Sequence, residues 1–232
     1  MTRAKEPTPM MLARIAGVLY LLLAFIGPFS LMYVPSKVMV PGDAIATASN
    51  ILASEGLFRA GFLGDSAILL IEIPLIAVLY VLLRPVSKTL ALAAAFARMA
   101  MVVVQGLNML PNFVILQLVN GHGPAFTPDQ LGAMVQLCLD ARVSGVLIWE
   151  VFFALHLALI GYLFYRSRYI PRVFGILLYL ASFGYFVDSF GNMLYPAGSA
   201  TYAAIVAVGS IVGEMALTLW LLIKGVRVPA TE

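Results

Sequence analysis

The chain has 232 residues and a mass of 25.0 kDa, is 62% hydrophobic and only 11% charged, and has a mean hydropathy of +0.99. Soluble domains carry about 25% charged and 45–50% apolar residues, and disordered chains are poorer still in apolar residues, so both classes are excluded. Fourteen basic against eleven acidic residues give a net charge of +3. No basic cluster interleaved with aromatics lies in a soluble segment, so nucleic acid is not expected as a partner.

Six apolar stretches follow one another: about Met11–Val34, Phe58–Leu83, Thr89–Val119, Val143–Tyr165, Val173–Met193 and Tyr202–Ile223. Each is long enough to cross ~30 Å of hydrocarbon at ~1.5 Å per residue. The expected fold is all-α, a polytopic membrane protein with six transmembrane helices in one bundle, residues 1–232 forming a single domain. The first stretch is long and no small-x-small cleavage site follows it, so it reads as a retained helix rather than a secretory signal. The third is overlong, which predicts tilt or projection beyond the bilayer. Short helices on the outer surface are predicted in the first and third loops. In the first, Asp43 stands before Ala44–Ser54 as an N-cap. In the third, Thr127-Pro-Asp-Gln130 has capping-box spacing with Pro at the first helical position. Gly121-His-Gly-Pro124 reads as a turn. Cys138 is the only cysteine, so no internal disulfide is possible and no thiolate metal site is expected.

Basic residues alternate by side. Arg3, Lys5, Arg14, Arg84, Lys88, Arg166, Arg168, Arg172, Lys224 and Arg227 fall on one side; Lys37, Arg59 and Arg142 fall on the other; Arg98 lies inside a span. The positive-inside rule then places both termini in the cytoplasm of a cell membrane.

Three strings carry a resemblance: Arg14-Ile-Ala-Gly-Val-Leu-Tyr20, Tyr165-Arg-Ser-Arg-Tyr-Ile-Pro-Arg172 and Glu214-Met-Ala-Leu-Thr-Leu-Trp-Leu-Leu-Ile-Lys-Gly225. With the six-span layout they resemble a bacterial family of small six-helix membrane proteins known as domain of unknown function 4386. The resemblance implies that fold and a bacterial inner-membrane location, and it implies no activity. Glu72 and Arg98 sit where that family tends to have a glutamate and an arginine. An acidic residue commonly follows the arginine soon after, whereas here the run is Arg98-Met-Ala-Met.

Ionisable groups in hydrocarbon cost about 2.5–3.5 kcal/mol each at mid-span, so each needs a reason. The spans hold Asp65, Glu72, Arg98, Glu150, His156, Asp188 and Glu214, joined by the amides Gln105, Asn108, Asn112, Gln117 and Asn192. At ~100° per residue, Asp65 and Glu72 share a face. So do Arg98, Gln105, Asn108 and Asn112, and likewise Tyr185, Asp188 and Asn192, and Ser210, Glu214 and Thr218. Glu150, Phe153 and His156 spread over a wider arc. Five polar stripes escape lipid together only by converging. A polar pocket open to the outer side is therefore predicted, with Glu72, Arg98, His156 and Glu214 as its floor and Asp65, Glu150 and Asp188 roughly 7–10 Å below the outer helix ends. Five acids against one arginine cannot all ionise in low dielectric, so several carry protons and one pairs with Arg98.

Three functional classes remain open. An intramembrane enzyme would use Glu150 and Asp188 as acid and base on a lipid or isoprenoid-like molecule, resembling terpene cyclases by analogy alone, with Asp65, Glu72, Arg98, Asn108, Asn112, His156 and Glu214 as binding or supporting network. A proton-coupled transporter would use the same acids as a relay. A scaffold would use them to hold helices together. His156 with Glu150 and Asp188 has donor types suited to zinc or iron. No His-x-x-x-His or Glu-x-x-His spacing accompanies them, so no metal is expected, nor any other cofactor. The expected partners are membrane lipids and an apolar small molecule.

Overall fold

Local signals in the sequence start and stop each helix. In the computed structural model, which describes residues 7–122 and 125–227, these helices are α1 (Pro9–Val38), α2 (Ala44–Ala53), α3 (Glu55–Leu83), α4 (Lys88–Gly121), α5 (Pro128–Ser167), α6 (Arg172–Leu194) and α7 (Pro196–Ile223). Among the described residues there is no strand. All but α2 are long and apolar enough to cross a membrane. Thr8 caps α1 by accepting from the Met11 N–H, with Pro9 behind it; Asp43 caps α2 through Ala46, and Ser87 caps α4 through Leu90. Each cap satisfies a first-turn N–H that has no helical partner. Thr127 and Gln130 exchange both bonds of the predicted capping box at the start of α5. At its other end Arg168 turns left-handed (φ 57°) ahead of Pro171, and the helix stops.

The long helices form a closed ring in chain order: each packs on the next, and α7 returns to α1. The main core fills the ring, with Leu75, Leu79, Leu157, Ile160, Leu178, Leu217 and Leu221 buried. Large apolar side chains such as Phe25, Leu63, Leu70, Phe96, Phe183 and Val208 face outward, as helices bathed in lipid tails require.

The expected separate surface helix in the third loop is corrected. Residues 128–167 form one helix of 40 residues, about 60 Å at 1.5 Å per residue. The polar dip Leu139-Asp-Ala-Arg142 lowers hydropathy yet holds no glycine or proline to stop the helix. The first turns of α5 therefore project beyond the main core, and α2 lies across them. Thr47 and Ile51 of α2 are buried there with Val135, Leu139, Ile115 and Val119 as a second, smaller core. The overlong third stretch is one 34-residue element, broken near Asn108–Met109, where Pro111 removes a backbone N–H. Helix α7 widens into a π-helical turn at Ile211–Met215, which carries Glu214. The charge-split residues Arg3 and Lys5, the Gly123-Pro124 part of the predicted turn, and the side chains of His122 and Ser210 lie outside the described residues.

The α5–α6 crossing depends on two glycines. A Cβ on Gly175 would meet the Gly161 carbonyl oxygen at 2.6 Å and the Tyr165 backbone nitrogen at 3.0 Å. Gly175→Ala should therefore destabilise the protein by about 1–3 kcal/mol, because rigid backbone must give way. Gly27→Ala, where a Cβ meets nothing within 4 Å, should not. Thermal unfolding in detergent checks both, and equal melting temperatures for the two variants would contradict the packing.

Candidate functional site

The centre of the ring is an arginine hub. Glu72 on α3 and Arg98 on α4 are 5% and 2% exposed. They form a bidentate pair, Arg98 Nε to Glu72 Oε2 at 2.5 Å and Nη2 to Oε1 at 3.0 Å. Arg98 Nη1 donates to the Tyr20 hydroxyl of α1 at 3.1 Å and lies 3.0 Å from His156 Nε2 of α5. His156 Nδ1 is 2.8 Å from the Ala94 carbonyl, which can only accept. The proton must therefore sit on Nδ1, leaving Nε2 as the lone pair that accepts from Arg98; His156 is a neutral acceptor. The Tyr20 and Phe153 rings flank the guanidinium, 5.2 and 5.4 Å from their centroids. Four elements converge on one cation whose charge Glu72 balances.

This hub is packed. The space beside His156, lined by Ile76, Leu79, Ala94 and Ile160 among others, measures about 10 Å³, no more than one water requires. The expectation that Glu72, Arg98 and His156 floor an open pocket is corrected: their hydrogen-bonding groups are turned on one another, and aliphatic side chains fill the surroundings. Glu214 stands beside the hub, half-buried, accepting from the Tyr185 hydroxyl of α6 at 3.0 Å.

A second cluster lies two helical turns away along α3. Asp65 is fully buried and pairs with Arg142 Nη2 at 2.7 Å, while Asn108 Nδ2 donates to the Arg142 carbonyl at 2.9 Å. By hydropathy alone Arg142 falls in a loop just ahead of the fourth apolar stretch. Continuing α5 unbroken from Thr127 puts it three and seven residues after the buried Leu139 and Val135, on their face, and that is the signal that was available. Gln105 and Asn112 are buried, each with an amide oxygen unpartnered, whereas Gln117 is exposed.

The third cluster joins α5 to α6. Glu150 is 6% exposed and lies near the carboxyl of Asp188. Its Oε2 has no partner. Asn192 Nδ2 donates to Asp188 Oδ1 at 3.0 Å. Among the described residues no salt bridge reaches either carboxyl, so the two acids stand together without a compensating cation. Trp149 packs on Phe153 and Tyr185 beside them, and its indole N–H has no acceptor.

None of the seven ionisable residues picked from the sequence is exposed. The structure divides them into three clusters at different heights instead of gathering them into one pocket. Glu72, Arg98 and His156 are in contact, with Glu214 alongside. Asp65 stands apart with Arg142, and Glu150 with Asp188. His156 has both ring nitrogens occupied and does not join Glu150 and Asp188, so the zinc or iron donor set considered from the sequence is not assembled. Among the described residues no three His, Cys, Asp or Glu side chains are placed to hold a metal ion.

An uncharacterized protein of Archaeoglobus fulgidus is 29% identical over 163 residues, covering 70% of this chain and 82% of that protein. No solved structure matches. A family model described as domain of unknown function (DUF4386) matches residues 15–225, which takes in every cluster described above and all of the six long helices but the first turns of α1. With nine-tenths of its length matched, this multi-pass membrane protein belongs to the DUF4386 family.

Proposed function

We propose that the chain is an intramembrane enzyme that moves a proton between the Glu150–Asp188 pair and an apolar, lipid- or isoprenoid-like molecule. The observation that carries this reading is the unpartnered, buried Glu150 oxygen facing a second carboxyl without a compensating cation. A structural acid is normally fully paired, as Glu72 is. A shared proton gives one group able to donate and one able to accept. Trp149, Phe153 and Tyr185 add ring faces on which positive charge developing in a substrate would be stabilised. Glu72, Arg98, His156 and Tyr20 then hold the helices that present the pair, and Asp65, Asn108 and Asn112 support it from the next level.

The test is incubation of purified protein with a membrane lipid extract. A product formed by wild type and absent with Glu150→Gln supports the enzyme; identical extracts from both contradict it. One observation favours a second reading, a proton-coupled transporter. Three helices of the ring, α1 at Phe29–Tyr33, α4 at Asn108–Met109 and α7 at Ile211–Met215, are interrupted where a moving helix would hinge. Liposomes loaded with a pH-sensitive dye separate the two, since proton flux that depends on Glu150 belongs to the transporter alone.

The proposed orientation puts both termini in the cytoplasm. Among the described residues eight cations lie at the end bearing the termini and three at the other. A phosphatase fused after residue 125 should be active, and a fluorescent protein fused at the C-terminus should fluoresce. The reverse pattern would overturn the orientation.

A further inference from the structure

The end of the ring bearing the termini carries a recess that the proton chemistry does not use. It is lined by the link between α5 and α6 and by the chain leaving α7: Arg168, Tyr169, Arg172, Trp220, Lys224 and Arg227 among others, enclosing about 540 Å³. Two left-handed residues shape it, Arg168 (φ 57°) and Gly225 (φ 65°). The Arg227 N–H donates to the Tyr169 carbonyl at 2.9 Å and ties the two segments together. Four cations thus face one concavity. Among the described residues no acidic residue lines it and none of the four is paired with a carboxylate, while Arg172 also lies over the Tyr165 ring, 5.3 Å from its centroid. Four exposed cations around one recess give it a positive potential that attracts an anion. Arginine forks match phosphate oxygens in pairs, and lysine adds a point charge.

The surroundings decide which phosphate. Directly beside the recess the outward faces of α6 and α7 turn apolar, with Val173 and Ile176 about half exposed and Ile223 68% exposed. A ligand whose phosphate sits among the arginines would lay hydrocarbon along these side chains. The volume is that of a small-ligand pocket, typically about 300–1,000 Å³.

We infer that this recess binds the phosphate headgroup of an anionic phospholipid, its acyl chains running along Val173, Ile176 and Ile223. Trp220 lines the site, and the chain has only two tryptophans, so a Trp149→Phe background makes Trp220 the sole indole reporter. Full-length protein in neutral detergent is titrated with dioctanoyl phosphatidylglycerol, dioctanoyl phosphatidylcholine and inorganic phosphate. The expected result is a saturable change in Trp220 emission with phosphatidylglycerol, and a much weaker one with phosphatidylcholine. Arg172→Gln and Lys224→Gln should each weaken binding about tenfold or more, the size of one lost charge-assisted contact, with the melting temperature kept. Should either variant fail to fold, Arg227→Gln, on the exposed tail, takes its place. Equal curves for the two lipids, or wild-type binding by the glutamine variants, would overturn the site. Inorganic phosphate saturating as tightly as phosphatidylglycerol would overturn the lipid as its source.

Discussion

Arg98→Met should lower stability by about 3–5 kcal/mol, the largest loss expected from any single substitution in the ring. The substitution keeps most of the side-chain volume, so the loss reports charge and hydrogen bonding and not a cavity. It leaves Glu72 buried and uncompensated, and strips a partner from both Tyr20 and His156. The double variant Arg98→Met with Glu72→Leu should recover most of the loss, because removing both halves of a buried ion pair abolishes the stranded charge. Thermal and denaturant unfolding in detergent measure both. A single variant within about 1 kcal/mol of wild type would mean that the hub does not hold the helices.

Glu150→Gln and Asp188→Asn should behave in the opposite way. An amide still hydrogen-bonds across helices, so each variant should melt within about 1 kcal/mol of wild type. Neither amide can act as a general acid at neutral pH, and proton transfer by a positioned side chain is worth about 10²–10⁴-fold, so turnover should fall by that order. Stability and turnover measured on the same preparation decide the matter. Unchanged turnover in both variants contradicts the proton-donor role.

Much of this architecture is legible from residue spacing alone. The Asp43 cap and the Thr127–Gln130 box lie where the sequence puts them, because capping is decided by residues within one turn of each other. The inward azimuth of Glu72 and Arg98 follows from 3.6-residue periodicity, and the structure pairs the two. Four features are not legible, for physical reasons. The dip at Leu139–Arg142 reads as a loop by hydropathy, yet a helix ends only where a breaker or cap ends it, and none is present. Arg142 as the partner of Asp65 was lost with that misplaced end. The third concerns depth. A helical wheel gives the direction of a side chain and not its height, and a shared direction suggested one pocket. Glu72 lies two turns from Asp65 along α3, so two side chains with similar azimuths meet different partners, and His156 lies nearly two turns from Glu150 along α5. Tyr20 is the fourth: the hydroxyl that reaches Arg98 has no signature in its own helix.

A proton-donating Glu150–Asp188 pair must carry a protonated carboxyl, and infrared difference spectroscopy reads it directly. A protonated carboxylic acid has a carbonyl stretch well separated from those of carboxylates and amides, and it shifts when water is replaced by deuterium oxide. In wild-type protein at neutral pH such a band is expected, shifting on exchange, missing from Glu150→Gln and moved in frequency by Asp188→Asn, because the first substitution removes the acid and the second changes its neighbour. A spectrum in which every protonated-carboxyl band survives both substitutions would contradict it.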